Sequence, residues 1–452
     1  MGKKVHSKNK GRKAAGKNDA AATRKGLFEV DVEAFSVSND VDIFTRLPVQ
    51  SLLELSQRVP KVWESIVEDP SFVDKHFSHS LNRPGGSRML VSFSNLDGSK
   101  HYFFSVGLYG GSGVHQVTLP GCNKGPNKPC HCHVSESVKG LFCFFNGRGL
   151  YVFNPATRSI QPIPKSLEYA KRYESVETTS ILEKSYSAYA FGCDPCTNVF
   201  KVLHIMGITK SGMKIYDLEC EVYTVYTPSR RSNDEKPENL TFSWKKIAHV
   251  PPCPYPFKSQ GVCVNGFIYW LGMTAPGVEG VVRFDVANEK FQMISLPTEI
   301  SVIPILTKVG ERLALFGSSN NNNKDANSSS SGVEFWRLDD DDDEHKLGWS
   351  KESFEVPRSH RRLKRPVPLG NICSGDVLLV ADVISEEYLL IPFPSNKANC
   401  SSKRKINIRG LPGFIEFNGF KHANFNITNY VESFVNVESR LLRLGYYTCI
   451  YV

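Results

Sequence analysis

From Arg88 onward the sequence is a series of short runs rich in Val, Ile, Phe, Tyr and Leu, which are separated by Gly, Pro and Asn. Runs of this length and composition predict β-strands joined by tight turns. Some of the predicted hairpins contain a pair such as Asn265-Gly266, which supplies the two positive φ angles of a two-residue turn. Others end in Pro, as residues 281–297 do. The chain beyond residue 88 is therefore predicted to be all-β.

The hairpin that ends in Pro recurs along the chain. Each copy has two apolar strands around a turn. The copies lie at residues 151–162, 220–247, 281–297, 333–351 and 388–393. A further pair of strands, at residues 89–104, precedes them. Successive centres are roughly fifty residues apart, close to the period of kelch-type repeats. Four-stranded units of this kind cannot bury both faces alone, so they stack radially. We predict a mainly β fold whose main domain, residues 88–452, is a kelch-like β-propeller of about six blades.

A different pattern precedes the strands. Between residues 41 and 73 the apolar side chains recur at gaps of three and four, which is the spacing of one helical face. Three prolines fall where helices would join, and a residue without an amide proton is tolerated there: Pro48, Pro60 and Pro70. Asp69 is suited to cap the helix that Pro70 begins. The pattern predicts two or three short helices within residues 35–80.

A helical unit of this size buries little apolar surface by itself. Its leucines must therefore pack on the domain behind it or on another protein. Two interpretations follow from the residues: a helical hairpin that caps the β domain, or a docking module for a partner.

The helical segment resembles an F-box. The resemblance rests on Arg46-Leu47-Pro48-Val49, Ser51-Leu52-Leu53, Val59, Lys61, Trp63, Ile66 and Asp69-Pro70-Ser71-Phe72-Val73. It implies docking onto a Skp-type adaptor and, through the adaptor, onto a cullin. The adaptor-facing candidates that it implies are Leu47, Pro48, Leu52, Leu53, Val59 and Trp63. Residues 35–44 lack the leucine-rich first helix that is usual in the family.

The β region is similar to the F-box-associated domain found behind plant F-boxes. The matching stretches have the order and spacing of that domain, and they include Gly140-Leu141-Phe142-Cys143, Val152-Phe153-Asn154-Pro155, Phe191-Gly192-Cys193-Asp194, Trp244-Lys245-Lys246 and Val264-Asn265-Gly266. Together with the F-box they cover residues 35 to about 440. The turns at Asn154-Pro155 and Asp194-Pro195 are interpreted as elements of the fold, because Asn or Asp before Pro starts a turn.

The formal net charge of +9 is concentrated at one end of the chain. Residues 1–26 hold nine Lys or Arg and one Asp, which is 9 − 1 = +8, and this leaves 9 − 8 = +1 for the rest. A nearly neutral domain does not favour nucleic acid as a partner. Residues 1–34 are predicted to be a disordered basic tail, either a nuclear-import signal or a solvated extension. We expect the protein in the nucleus, the cytoplasm or both.

The sequence gives little support to other functional classes. No run of apolar residues is long enough for a membrane span, and no secretory signal is expected. Twelve cysteines scattered over 452 residues are expected to be reduced thiols within strand cores. The one cluster with metal-ligand chemistry is Cys122, Cys130, His131, Cys132 and His133, whose spacing is poor for zinc, so no metal and no cofactor are predicted. No catalytic signature appears.

These observations lead to one main hypothesis and one alternative. The main hypothesis is a non-catalytic substrate-recognition subunit of a Skp-cullin-F-box ubiquitin ligase, in which the F-box binds the adaptor and the propeller binds an unknown protein target. The alternative is a propeller protein-binding module whose degenerate F-box acts outside a ligase. A propeller enzyme would have only the fold in its favour.

Overall fold

A computed structural model provides the coordinates of the chain. It describes residues 42–56, 66, 69–95, 97–108, 111–121, 132–146, 148–167, 185–209, 216–225, 227, 243–253, 261–275, 278–300, 304–309, 311–317, 331–341, 346–356, 367–371, 376–380, 388–392, 408–409 and 426–437. The chain divides into two units, Met1–Phe44 and Thr45–Val452. Of the first unit only residues 42–44 are described, and they are helical.

Beyond residues 42–44, the described residues form two helices, α1 (Val49–Ser56) and α2 (Pro70–Asn82), followed by twenty-five strands. In chain order the strands are β1 (Ser87–Ser94), β2 (Lys100–Gly107), β3 (Gly111–Ser112), β4 (Val114–Pro120), β5 (His133–Val134), β6 (Phe142–Phe145), β7 (Leu150–Asn154), β8 (Ser159–Ile163), β9 (Ser185–Asp194), β10 (Val199–Thr209), β11 (Tyr216–Thr224), β12 (Lys245–Ile247), β13 (Val262–Val264), β14 (Phe267–Ala275), β15 (Val278–Asp285), β16 (Lys290–Ser295), β17 (Ile305–Val309), β18 (Arg312–Gly317), β19 (Ser331–Asp341), β20 (Lys346–Val356), β21 (Val367–Asn371), β22 (Asp376–Val380), β23 (Tyr388–Pro392), β24 (Ile408–Arg409) and β25 (Asn426–Val431).

Within the described residues the strands form five complete four-stranded antiparallel blades. Blade 1 has the strand order β25-β1-β2-β4, and blades 2 to 5 are β5–β8, β9–β12, β13–β16 and β17–β20. Strands β21–β23 form a smaller sheet of three, and β24 pairs with β3 in parallel. The fold is thus a mainly β propeller that occupies most of the chain.

The expectation of about six blades is wrong. The hairpin at residues 388–393, which the sequence count treated as part of a blade, belongs to the three-stranded sheet. In addition, blade 1 takes its fourth strand from the far end of the chain, because β25 pairs with β1 from Ser87↔Val431 to Ser92↔Asn426. A count of hairpins along the sequence cannot detect a strand that completes the first blade instead of starting a new one.

The two helices begin where the prolines predict. Pro48 directly precedes α1, and Pro70 is the first residue of α2. Asp69 caps α2, since its Oδ1 accepts from the Ser71 amide at 2.9 Å. One face of α2 is buried and contains Phe72, Val73, His76 and Ser80. Within the part of the chain that the structure describes, no helix is both long and apolar enough to cross a membrane.

The core lies between neighbouring blades. On one side of blade 4 a buried apolar cluster joins it to blade 3, with Trp270 and Phe284 packed near Leu203 and Val222. On the other side a second cluster joins blade 4 to blade 5. Four buried cysteines among the described residues, Cys143, Cys193, Cys220 and Cys253, are free thiols in or beside these strands, as the sequence predicts.

The Asn265-Gly266 turn joins β13 to β14 as predicted. Asn265 has a φ of 47° and Gly266 a φ of 84°, which are the positive angles that a two-residue hairpin turn requires. A Cβ atom on Gly266 would lie 2.7 Å from Cδ of Pro195 in blade 3. The turn therefore needs glycine both for its backbone angle and for the approach of the neighbouring blade.

Replacing Gly266 by alanine tests this double requirement. We expect Gly266→Ala to lower the free energy of unfolding by about 2 to 4 kcal/mol, because a left-handed alanine is strained and its methyl group meets Pro195. The matched control is Gly85→Ala, whose φ is also positive, at 80°, but whose added Cβ meets nothing within 4 Å. Urea denaturation should show a loss of roughly 1 kcal/mol for the control. Equal losses in the two variants would contradict the proposed contact.

Candidate functional site

The candidate site is the helical segment 45–83, of which the structure describes residues 45–56, 66 and 69–83, with the residues of the propeller on which the two helices lie. Among the six residues that sequence analysis proposed to face an adaptor, four are described. Leu47 and Leu53 are half-buried, Pro48 is exposed and Leu52 is fully buried. Val59 and Trp63 lie outside the described residues. The structure places Pro48, Leu52 and Leu53 in or directly before α1, so the described members lie together.

The outer face of α1 combines polar and apolar side chains. Gln50, Ser51 and Glu54 are exposed, and Gln50 donates to Glu54 Oε1 at 3.2 Å across one helical turn. Leu55 is 42% exposed, although leucine side chains are usually buried. Leu55 and the half-buried Leu53 are the accessible apolar side chains of α1, and isolated exposed leucines of this kind are normal on protein surfaces.

The inner face of the helices packs against residues 432–437, which follow β25 and which we call the C-terminal strap. The Phe434 ring lies 5.8 Å from the Phe72 ring and 4.6 Å from His76, measured between ring centroids. His76 Nε2–H donates to the Leu47 carbonyl at 2.9 Å, so α2 also holds the segment that leads into α1. Burial lowers the pKa of His76 to about 4. The imidazole is therefore neutral near pH 7.

Glu432, the first residue of the strap, connects three parts of the chain. Its Oε2 accepts from Arg83 Nη2 at 3.1 Å and from the Val49 amide at 3.4 Å, while its Oε1 lies 3.8 Å from Arg88 Nη1. A carboxylate at the N-terminus of α1 also interacts favourably with the helix dipole. Burial raises the pKa of Glu432, although Arg88 and Arg83 favour its ionised form. A single buried carboxylate thus joins α1, the end of α2 and β1.

The strap is in turn fixed to blade 2 by Asn154. The Asn154 Oδ1 accepts from the Ala156 amide at 2.9 Å, which confirms the turn that the sequence predicts before Pro155. Its Nδ2 donates to the carbonyl oxygens of Ser433 and Val435, each at 2.8 Å. This attachment of the strap by Asn154 could not be predicted from the sequence, because no local pattern reveals a partner 279 residues away.

The described residues give no support to a metal centre. No group of three or more His, Cys, Asp or Glu side chains among them could hold a metal ion. Of the cysteine and histidine cluster, Cys132 and His133 are described, and Cys132 Sγ lies 3.8 Å from Ser94 Oγ. Burial raises the pKa of the Cys132 thiol. The other members, Cys122, Cys130 and His131, lie outside the described residues.

The β domain matches one known family over most of its length. Residues 88–431 match the family model described as "F-box associated beta propeller domain". The chain belongs to this family. The match covers all five blades of the F-box associated domain and begins after the helices. The family match does not extend to residues 35–80, so their resemblance to an F-box and the boundaries of that segment stay predictions. The kelch-type repeat also stays a prediction.

Several relatives of this F-box associated propeller come from Arabidopsis thaliana. F-box protein At1g30790 is 27% identical over 350 residues, which are 73% of this chain and 77% of that protein. F-box protein At2g21930 is 26% identical over 398 residues, or 82% and 85% of the two chains. The crystal structure of TolB from Acinetobacter baumannii is 7% identical over 64% of this chain and 70% of that one, with a TM-score of 0.23, a likeness too low to carry any argument.

Removal of the Glu432 charge tests its role at the junction. Glu432→Gln keeps a hydrogen-bond acceptor but removes the negative charge that faces Arg83 and Arg88, so we expect a loss of about 1 to 3 kcal/mol in the free energy of unfolding. Limited proteolysis should also cut within residues 45–83 sooner than in the wild type. The control is Glu299→Gln, which breaks an exposed pair with Lys351 at 2.8 Å. That pair is expected to contribute less than about 1 kcal/mol.

His76 makes the stability of the junction depend on pH. Its folded pKa of about 4 lies below the unfolded value of 6.5, so the folded state binds fewer protons between these values. Its contribution is complete above pH 6.5 and is lost as the pH falls towards 4. Between pH 7.5 and 5.0 this loss amounts to about 2 kcal/mol.

The variant His76→Gln retains a donor for Leu47 but cannot titrate. Urea denaturation at the two pH values should therefore show a smaller difference for the variant than for the wild type. The other buried histidines are unchanged between the two proteins, so the comparison isolates His76. An unchanged difference would show that His76 is not neutral in the fold.

Proposed function

We propose that the chain is a substrate-recognition subunit of a Skp-cullin-F-box ubiquitin ligase. Its membership of the F-box associated propeller family supports this role, as do relatives that are named F-box proteins. In this role the helical segment 45–83 binds a Skp-type adaptor, and the adaptor connects it to a cullin. The propeller binds a protein target. The subunit itself is non-catalytic and requires no cofactor.

The observation that carries the proposal is the way in which the helical segment is attached. Its inner face is held by Phe434 and Glu432 of the strap, while Pro48, Leu53 and Leu55 remain wholly or partly accessible on α1. An adaptor bound to these residues would be held in a fixed orientation to the blades. A ligase subunit acts by bringing a target lysine close to an activated thioester, and a fixed geometry raises the effective concentration of the two groups.

One observation favours a second function, that of a propeller binding module working outside a ligase. Leu52, one of the adaptor-facing candidates, is fully buried, and so is Val49 at the start of α1. On this interpretation the helices serve to cap the propeller, and their apolar residues are used within the chain. The two functions differ in whether any adaptor binds.

Location in the nucleus or the cytoplasm is part of the same proposal. The basic tail supports nuclear entry, since nine of its first 26 residues are Lys or Arg. The tail lies outside the described residues.

Co-purification with a Skp-type adaptor tests the proposed function. We expect the tagged full chain to retain the adaptor, and Leu53→Asp to weaken binding at least about tenfold because a charge would be buried in the contact. The control is Leu167→Asp, which places the same charge on a propeller residue that is 74% exposed. Adaptor binding should be unchanged in the control. If the folded wild type retains no adaptor, the ligase role is rejected and the second function stands.

A further inference from the structure

The interface between blades 2 and 3 differs in chemistry from the two interfaces of blade 4. Both interfaces of blade 4 are filled by apolar side chains. Between blades 2 and 3, in contrast, Glu221 is only 3% exposed and His204 is fully buried. Phe145 of blade 2 packs against Tyr189 of blade 3 with 4.5 Å between ring centroids. Burying ionisable groups destabilises a fold unless they are paired, so their presence here calls for an explanation.

The polar groups are connected in a defined order. Ser187 Oγ–H donates to His204 Nε2 at 2.8 Å, and His204 Nδ1–H donates to Glu221 Oε1 at 3.0 Å. Burial lowers the pKa of His204, despite the hydrogen bond to Glu221. The imidazole is therefore neutral near pH 7, and it is a hydrogen-bond partner of the carboxylate rather than an ion-pair partner. Among the described residues no Lys or Arg forms an ion pair with Glu221.

The order Ser, His, Glu is also that of a hydrolase relay. The surroundings of His204 argue against such chemistry. The Tyr189 ring stacks on the imidazole at 4.1 Å with an interplanar angle of 8°. A fully buried ring covered in this way leaves no approach for a substrate carbonyl between Ser187 and His204. The relay is better understood as a device that holds the Glu221 carboxylate in place.

A partly exposed aromatic rim lies beside His204, the hydrogen-bond partner of the carboxylate. Phe145, Tyr189 and Trp244 are each half-buried, and the Tyr189 and Trp244 centroids are 6.3 Å apart. The Trp244 Nε1–H donates to the Pro164 carbonyl at 2.7 Å, which fixes the indole against blade 2. Aromatic faces attract cations, and a buried negative charge behind them adds a field that salt screens weakly.

Blade 2 also contributes a buried hydrogen-bond acceptor, the Gln161 side-chain oxygen, for which the described residues supply no donor. Gln161 is 6% exposed and forms a side-chain hydrogen bond with Tyr223, whose ring is 5.5 Å from that of Trp244. Its Oε1 has no hydrogen-bond partner within the described part of the chain. An unsatisfied buried acceptor destabilises the fold by about 1 to 3 kcal/mol, and a ligand that carries N–H donors would remove this penalty.

We propose that the blade 2–3 cluster, defined as Phe145, Gln161, Tyr189, Glu221 and Trp244, binds a lysine or arginine side chain of a protein target. The three kinds of group agree on this chemistry: the rings and the carboxylate select a cation, and the free amide oxygen selects an N–H donor. An anionic or purely apolar side chain would leave both the charge and the acceptor unmatched. The inference depends on the proposed function only in naming a protein target as the source of the cation.

The test is a titration of the full chain with small amides that isolate one side chain. The probes are N-acetyl-lysine methylamide, N-acetyl-arginine methylamide and the uncharged N-acetyl-norleucine methylamide. The readout is the Trp244 indole N–H signal in a ¹H–¹⁵N spectrum, assigned through Trp244→Phe among the five tryptophans of the chain. We expect saturable shifts with at least one cationic amide and none with norleucine. No saturable shift with either cation, or an equal shift with norleucine, would overturn the proposal.

A matched pair of variants tests whether binding of the cationic amide requires the Glu221 carboxylate. Glu221→Gln should raise the dissociation constant of the cationic amide at least about tenfold. Glu352→Gln removes the same charge from blade 5, where Glu352 pairs with Arg337 at 2.8 Å, and should leave the constant unchanged. Equal effects of the two variants would refute the role of Glu221, and the other indole signals report whether each variant is folded. No adaptor takes part, so this result is independent of the co-purification test.

Discussion

The antiparallel ladder between β25 and β1 is the contact on which the rest of the molecule depends. It joins the last described strand of the propeller to the first, from Ser87↔Val431 to Ser92↔Asn426. Without it, blade 1 would expose the edge of β1, and the ring of blades would end in two unpaired edges. Such a ladder closes a very long loop, and its entropic cost has to be offset by the packing of all blades together. The propeller is therefore expected to fold as one unit rather than blade by blade.

The same closure creates the site at which the helices are held. The strap begins directly after β25, so Glu432 and Phe434 reach α1 and α2 only when β25 is paired with β1. Arg88 belongs to β1 itself and lies 3.8 Å from Glu432. Closure of the ring and attachment of the helical segment are thus energetically coupled, because the carboxylate that joins the helices also contacts the closing ladder. In physical terms the helical segment and blade 1 belong to one cooperative unit.

Local features were predictable from the sequence, whereas features that join distant residues were not. The hairpin at Asn265-Gly266, the Asp69 cap and the Asn154 turn follow from preferences within a few residues, and the structure confirms all three. The blade count failed because the strand at residues 388–392 belongs to a three-stranded sheet and not to a blade. No local pattern shows either that β25 completes blade 1 from more than three hundred residues away. The roles of Glu432 and of the blade 2–3 cluster also depend on distant partners. Polar residues within otherwise apolar strands, such as His204 and Glu221, were the one local signal that could have indicated the blade 2–3 cluster.

Two of the buried carboxylates among the described residues, Glu432 and Glu221, illustrate two uses of the same physical cost. Glu432 is surrounded by two arginines and a helix amide, so its charge is matched within the chain and the result is a fixed junction. Glu221 is hydrogen-bonded to a neutral imidazole and forms no ion pair with Lys or Arg among the described residues, and the rings that contact its histidine partner belong to a half-exposed aromatic rim. A matched buried charge specifies structure, whereas an unmatched one beside solvent lowers stability unless a ligand completes it. This difference in partners, more than any difference in burial, separates a structural role from a binding role here.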